Sequence, residues 1–317
     1  MTQNESFGQF LKKSILQDVK DNSNAGVLLY LCFCIFLNYY FNIENTLFST
    51  YSSKPIGVAV YFLFYAVAYF PVMFWLLYRS QKLFLLKNKY FFWLSAGVIL
   101  SLSLSATYFY LTPLLKSMPD DKTEYLIRKL LVNGRNIVFV AIPALFIWKY
   151  VKEKDDNFFW FSFRRIKLKT YFSWLFLMII VIAFVSLSTS FQQVYPSFKP
   201  NMTKNVLNIH HHVWFGIYEL IYGFDFIWVE FLFRGILVLG LYRIVGKEVL
   251  MPMVSLYCFI HFGKPIVESI SSIVGGYFLG ILSLYTRSIA GGSILHIGIA
   301  YAMDFFALLW ILLPVFK

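Results

Sequence analysis

Residues 213–242 read VWFGIYELIYGFDFIWVEFLFRGILVLGLY, a run that is almost entirely apolar. A helix needs about 20 mostly apolar residues to cross the hydrocarbon core of a bilayer, which is roughly 30 Å thick. The run therefore predicts a membrane-spanning helix. A charged side chain at the bilayer centre costs about 2.5–3.5 kcal/mol on insertion scales, so ionisable residues inside a span are candidates for function. This run contains Glu219, Asp225, Glu230 and Arg234.

Similar apolar runs fill the rest of the chain and predict an all-α, polytopic membrane helix bundle with eight or nine transmembrane helices. The fourth and seventh runs are short, which favours tilted or partly re-entrant segments. The glycines over 275–280 and 291–292 are typical of close packing between helices. The predicted spans are 26–43, 56–78, 90–115, 137–151, 170–191, 213–242, 249–263, 266–286 and 289–315.

The composition excludes other classes of protein. Of the 317 residues, 59% are hydrophobic and 14% are charged, whereas a soluble domain carries about 25% charged residues. A soluble protein of this size cannot bury so much apolar surface, and a disordered chain would lack it. The formal net charge of +12 would suggest nucleic acid as the partner of a soluble protein, but in a membrane protein it orients the loops. We therefore expect membrane lipid, and no nucleic acid, as a partner.

Basic residues predict the orientation and the division of the chain. Lysines and arginines cluster after the second predicted span and between the fourth and fifth, and such clusters tend to stay in the cytoplasm. This pattern predicts a cytoplasmic N-terminus and an outward-facing segment over 192–212. The basic loop 152–169 is the best internal boundary. We predict a cytoplasmic segment over 1–25, N-terminal transmembrane helices with a basic cytoplasmic loop over 26–169, and a functional core over 170–317.

Three ionisable residues from three predicted spans share a depth in the membrane. Counting back from the basic residue at the cytoplasmic edge, at 1.5 Å per helical residue, places Glu230 about 20 Å deep, His261 about 21 Å and His296 about 13 Å. One carboxylate and two imidazoles can activate a water molecule or coordinate a metal ion. If the helices are straight, the three side chains are expected to meet near the bilayer midplane.

Other carboxylates are expected to support this group. Asp304 can share a helix stripe with His296 and orient one of the site residues. Glu268 is a second supporting carboxylate. Glu219 lies three turns before Glu230 on a similar face, and we expect it to line an access path.

Each of these residues also has a purely structural interpretation. Glu230 and Arg234 are four residues apart, so they can form an ion pair that offsets the cost of burying each charge. A single buried histidine is more often a hydrogen-bonded packing residue than a ligand. The run His210, His211 and His212 is expected to be solvated, because consecutive helical residues cannot all face one ion.

The order of these motifs resembles that of the CPBP family, the CAAX-protease and bacteriocin-processing intramembrane endopeptidases. Glu230-x-x-x-Arg234 resembles the first motif, and His261 and His296 stand where the second and third motifs carry a histidine. The resemblance covers 170–317. It implies a divergent member of an all-helical family that hydrolyses a peptide bond of a membrane-associated peptide or protein in a bacterial cell membrane.

The resemblance also implies a role for each residue. Glu230 would activate the attacking water, and Arg234 would orient Glu230. His261 and His296 would hold that water and stabilise the oxyanion, or would bind a divalent metal ion such as zinc together with Glu230.

Three positions depart from the family pattern. Val229 stands where the family has its first glutamate, the residue usually assigned there to activate water. Tyr257 replaces a phenylalanine, and Ala300 replaces an asparagine or aspartate. Two alternatives therefore stay open, a catalytically weakened homologue that acts as a membrane binding or immunity protein and, less favoured, a proton-coupled transporter. The oligomeric state stays open as well.

Overall fold

The computed structural model describes residues 6–151, 160–164, 166 and 168–313. Regular structure in these ranges is helical throughout, as the sequence predicts. The α-helices in the described ranges are α1 (Phe7–Lys20), α2 (Asn22–Phe41), α3 (Ile43–Tyr51), α4 (Gly57–Arg79), α5 (Lys89–Ala106), α6 (Thr112–Lys116), α7 (Asp121–Asn136), α8 (Ile142–Val151), α9 (Leu168–Val185), α10 (Thr189–Val194), α11 (His211–Glu230), α12 (Leu241–Val245), α13 (Leu250–Phe259), α14 (Ile266–Thr286) and α15 (Ala290–Leu312).

Seven helical segments of the described chain are long and apolar enough to cross a membrane, judged by length and composition. This confirms the prediction of a polytopic helix bundle and indicates a multi-pass membrane protein. The segments are Asn22–Phe41, Gly57–Arg79, Lys89–Lys116, Asp121–Lys149, Leu168–Val185, Ile266–Thr286 and Ala290–Leu312.

Two of the nine predicted spans are not among these seven candidates. α13 has 10 residues, which at 1.5 Å per residue reach about 15 Å, half of the hydrocarbon thickness. The continuous helix over 211–245 is long enough to span, but α11 alone carries three carboxylates. The predicted span 249–263 is therefore a short buried helix, and 213–242 is a long helix that carries ionisable residues.

The fourth predicted span, 137–151, is the second half of a longer helix. α7 begins at Asp121 and continues through a π-helical turn at Ile137–Ala141 into α8. The Asp120 side chain caps its start by accepting two backbone N–H groups of the first turn, each at 3.0 Å. The first half of this helix is polar and charged, so a search for apolar runs finds only the second half.

One hydrophobic core joins the two predicted halves of the chain. Every residue of α13 is buried, and the helix packs against α4 of the N-terminal half and against α14. Ser255 Oγ donates to the carbonyl oxygen of Ala68 at 2.6 Å, and Asn38 Nδ2 donates to that of Phe262 at 3.1 Å. The N-terminal helices thus help to fix α13. The basic loop predicted to separate the halves lies largely outside the described residues.

A π-helical segment, Phe231–Gly240, connects α11 to α12, and all of its residues are buried. A π-helix closes i→i+5 hydrogen bonds and is often found at functional sites. The segment begins directly after Glu230 and contains Arg234. The change of helix type therefore occurs at the acidic residue that the sequence singles out.

Candidate catalytic site

The Glu230 carboxylate is at the centre of a buried polar group. Its side chain is 0% exposed, and its Oε1 atom accepts hydrogen bonds from two side chains. Arg234 Nη1 donates to it from the next turn at 2.9 Å, and His296 Nδ1 donates to it from α15 at 2.9 Å. The predicted meeting of Glu230 with His296 is confirmed, although the two residues are 66 positions apart.

His296 lies between this carboxylate and a phenol. Because a carboxylate only accepts, Nδ1 of His296 carries the proton of the bond to Glu230. Nε2 then faces the hydroxyl of Tyr257 at 3.2 Å. The ring of Phe226 packs on the imidazole with centroids 4.3 Å apart. The order carboxylate, imidazole, hydroxyl is an arrangement that can move a proton along one line.

His261 joins the group through Tyr257. Its Nδ1 atom lies 2.7 Å from the backbone carbonyl oxygen of Tyr257, and a carbonyl only accepts, so Nδ1 donates. In the neutral imidazole the lone pair is then on Nε2, which can accept a proton or bind a metal. The rings of His261 and Tyr257 are 4.7 Å apart. We call Glu230, Arg234, Tyr257, His261 and His296 the Glu230 cluster.

Arg234 is fully buried and holds the cluster together electrostatically. Its guanidinium carbon lies 4.3 Å from the centre of the Tyr257 ring, a distance that favours a cation–π interaction. Arg234 Nε and Nη2 and Glu230 Oε2 are buried without a hydrogen-bonding partner. Buried polar atoms are nearly always paired, so each exception needs an explanation. These three atoms lie on one ion pair and are available to a further partner.

Gly292 makes room for the acidic side chain. A Cβ atom built on this residue would lie 2.4 Å from Glu230 Oε2, closer than van der Waals contact allows. The sequence predicts only helix packing for the glycines at 291–292. The structure shows that Gly292 borders the carboxylate itself.

The three residues of the predicted metal site do not have their ligand atoms all within 4.8 Å of one another. Zinc ligands lie about 2.0–2.2 Å from the ion, so their ligand atoms lie close together. Among the described residues, the group of three whose ligand atoms all lie within 4.8 Å of one another is His210, His211 and His212. Glu230, His261 and His296 do not form such a group, and Arg234 adds a positive charge beside the carboxylate.

The two supporting carboxylates lie at another place. Asp304 Oδ1 accepts the backbone N–H of Ser197 at 2.7 Å. Glu268 accepts the hydroxyl of Tyr195 at 3.0 and 3.1 Å. Both therefore hold the segment 195–197, which follows α10. We call Asp304, Glu268, Tyr195 and Ser197 the loop anchor.

Glu219 belongs to the surroundings of the loop anchor and not to those of Glu230. Its carboxyl group interacts electrostatically with that of Asp304, and its backbone carbonyl accepts the hydroxyl of Tyr301 at 2.9 Å. The predicted role of Glu219 along an access path stays a prediction.

The departures from the family pattern have clear positions. Val229 packs against the hydrophobic core, and Ala300 is buried in α15. Neither side chain can transfer a proton or bind a metal. Tyr257 and Gly292 are the residues that sequence reasoning missed. The signal for Tyr257 was its hydroxyl, which a phenylalanine at that position would lack.

The chain matches no known family model, no curated protein and no solved structure. The resemblance to the CPBP family therefore stays a prediction that depends on the motifs alone. The geometry of the Glu230 cluster is independent of it.

Proposed function

We propose that this protein is an intramembrane endopeptidase that hydrolyses a peptide bond of a membrane-associated peptide or protein. The observation that carries the proposal is the Glu230 carboxylate, which is fully buried, held by Arg234 and His296 through Oε1, and left without a partner at Oε2. A buried carboxylate that is held through one oxygen and has the other without a partner is suited to general base catalysis. In keeping with the resemblance, we assign the protein to a bacterial cell membrane, with its N-terminus in the cytoplasm.

The proposed mechanism begins at Glu230 Oε2. This oxygen takes a proton from a water molecule, and the water oxygen attacks the carbonyl carbon of the scissile bond. Negative charge then develops on the carbonyl oxygen, and the unpartnered N–H groups of Arg234 are donors that can stabilise it. The proton on Glu230 passes to the leaving amine as the carbon–nitrogen bond breaks.

The two histidines hold the general base and the attacking water in place during these steps. His296 donates to Glu230 Oε1, so that Oε2 is the oxygen left to accept a proton. The Nε2 lone pair of His261 is available to accept a hydrogen bond from the second O–H group of the attacking water, which holds that water in place. This scheme requires no metal ion. The zinc alternative stays a prediction, which the effect of chelators on activity tests.

The test is turnover of a quenched fluorescent transmembrane peptide by the purified protein in detergent, with the products identified by mass spectrometry. A prenylated peptide is assayed in parallel as a second substrate class. We expect cleavage by the wild type and a loss of about 100-fold or more in His261→Ala, in line with loss of a general acid–base group. Asp225→Asn is the matched control, because Asp225 is a half-buried acid of the same helix as Glu230 and accepts a hydrogen bond from Asn136 Nδ2 at 2.9 Å instead.

A second candidate is a homologue that binds membrane peptides without cleaving them. Val229 and Ala300 favour it, since both lack the polar groups of the family motifs. Saturable binding of the same peptide without any product would support this function and overturn the endopeptidase. Ion flux in liposomes that depends on Glu219 or Asp304 would instead support a proton-coupled transporter.

A further inference from the structure

Three consecutive histidines at the start of α11 bring their imidazoles together. One ligand atom from each of His210, His211 and His212 lies within 4.8 Å of the others. The ring centroids are 4.3 to 5.0 Å apart. All three side chains are at least partly exposed.

The sequence-based expectation that these residues cannot face one ion is wrong, and the backbone explains why. The expectation treats all three as helical, in which case successive side chains point about 100° apart. His210 is the N-cap and has an extended conformation, with φ −64° and ψ 133°. The direction of its side chain is therefore not set by the helix. The imidazole lies back over the first helical turn, where it accepts the backbone N–H of His212.

We propose that His210, His211 and His212 bind one divalent transition-metal ion of the zinc, nickel or copper class. Neutral imidazole nitrogen is a preferred ligand of these ions. His210 Nδ1 accepts the backbone N–H of His212 at 3.4 Å, so its Nε2 is the atom left for the metal. Three protein ligands leave the fourth position of a tetrahedral site to water.

The surroundings set a limit on the affinity. The N-terminus of a helix is the positive end of its dipole, which opposes a bound cation by about 0.3–1 kcal/mol. Lys204 adds a positive charge nearby. The triplet itself contains no carboxylate to offset these positive charges. We therefore expect a Kd for the metal ion in roughly the micromolar range.

The bound ion would fix the segment before α11. Short 3-10 turns at Pro200–Thr203 and Val206–Asn208 lead into the histidines, and Trp214 Nε1 donates to the carbonyl oxygen of Val206 at 3.3 Å. A metal ion on the histidines would add a second link between this segment and the first turn of the helix. It would lie at the other end of α11 from Glu230, about 28 Å away at 1.5 Å per residue.

The site therefore bears on any metal analysis of this protein. An ion found in the purified chain would need to be assigned to the histidine triplet or to Glu230 by variants before it gave evidence of a catalytic metal. The proposal does not depend on the proposed endopeptidase activity.

The test is calorimetric titration of the full chain with Zn²⁺, and separately with Ni²⁺, using protein purified without a polyhistidine tag. We expect one ion per chain, a loss of affinity of at least tenfold in His211→Ala and no measurable binding in the triple alanine variant. His261→Ala and His296→Ala are the matched controls and should bind as the wild type does. Absence of binding by the wild type would overturn the proposal, and so would binding that is lost in the controls but kept in the triple variant.

Discussion

The Glu230 cluster and the loop anchor contain buried carboxylates with different surroundings. In the Glu230 cluster, the partners of the carboxylate are an arginine and a histidine from two different helical segments. In the loop anchor, Asp304 and Glu268 bind a backbone N–H and a tyrosine hydroxyl of one segment. The contacts in the Glu230 cluster affect the reactivity of one carboxylate, whereas those in the loop anchor hold the segment 195–197 in place. Residue type and burial alone would not distinguish them.

The largest expected effect that separates the two regions is that of His296→Ala. The change removes the imidazole between Glu230 and Tyr257, and we expect peptide turnover to fall by about 1000-fold, within the range for a general acid–base group. His212→Ala is the matched control, because it removes a histidine at the far end of α11. Equal turnover of the two variants would show that His296 has no part in the reaction.

Gly292→Ala tests the space around the carboxylate. The added Cβ would lie 2.4 Å from Glu230 Oε2 and must displace it, so we expect about a 100-fold loss of turnover at a cost in stability of about 1–3 kcal/mol. Gly275→Ala is its control, since a Cβ there meets nothing within 4 Å. Turnover rates and thermal unfolding of both variants check this prediction, and an active Gly292→Ala would mean that Oε2 is not the reacting atom.

Two tyrosine variants compare the hydroxyl groups of the two regions. Tyr257→Phe loses the hydroxyl at His296 Nε2, and we expect kcat to fall about tenfold with KM unchanged, because the imidazole that holds Glu230 loses a partner that orients it, while substrate binding is not affected. Tyr195→Phe loses the hydrogen bond to Glu268 and should lower stability by about 1 kcal/mol while kcat is kept. A kcat change in Tyr195→Phe alone would reverse the assignment of the two regions.

The smallest expected effect concerns Glu44 in α3, a half-buried carboxyl outside the membrane-spanning segments. Burial raises the pKa of Glu44 above its ordinary value, and its hydrogen bond from Tyr61 only partly opposes this. The folded state therefore favours the protonated form, so stability should fall as the pH rises from the ordinary pKa through the raised one. Thermal unfolding between pH 4 and pH 7 should show this slope in the wild type and a weaker one in Glu44→Gln. An unchanged slope would exclude Glu44 as its source.

The sequence predicts the helices well, because they follow from runs of apolar side chains, and a fixed rise per residue places Glu230 and His296 at a similar level along them. It therefore predicts the Glu230–Arg234 pair and the meeting of Glu230 with His296. Depth does not give the rotation of a helix about its axis, which packing decides. For that reason the position of His261 beside Tyr257, and of Asp304 at the loop anchor, could not be predicted.

Local backbone changes account for the other differences. The π-helical segment after Glu230 and the extended cap at His210 both redirect side chains, and nothing in an apolar pattern signals them. The long helix that begins at Asp121 was missed because its first half is polar. Helical continuity there is maintained by capping and packing rather than by hydrophobicity.

The central claim is that peptide hydrolysis occurs at Glu230 and not at the loop anchor. The most direct measurement is the turnover of a transmembrane peptide by Glu230→Gln and Asp304→Asn, assayed side by side with folding checked by thermal unfolding. We predict a loss of about 1000-fold or more in Glu230→Gln and a turnover within about threefold of the wild type in Asp304→Asn, which keeps a side-chain oxygen for the Ser197 N–H. A folded Glu230→Gln variant that cleaves as the wild type does would contradict the account.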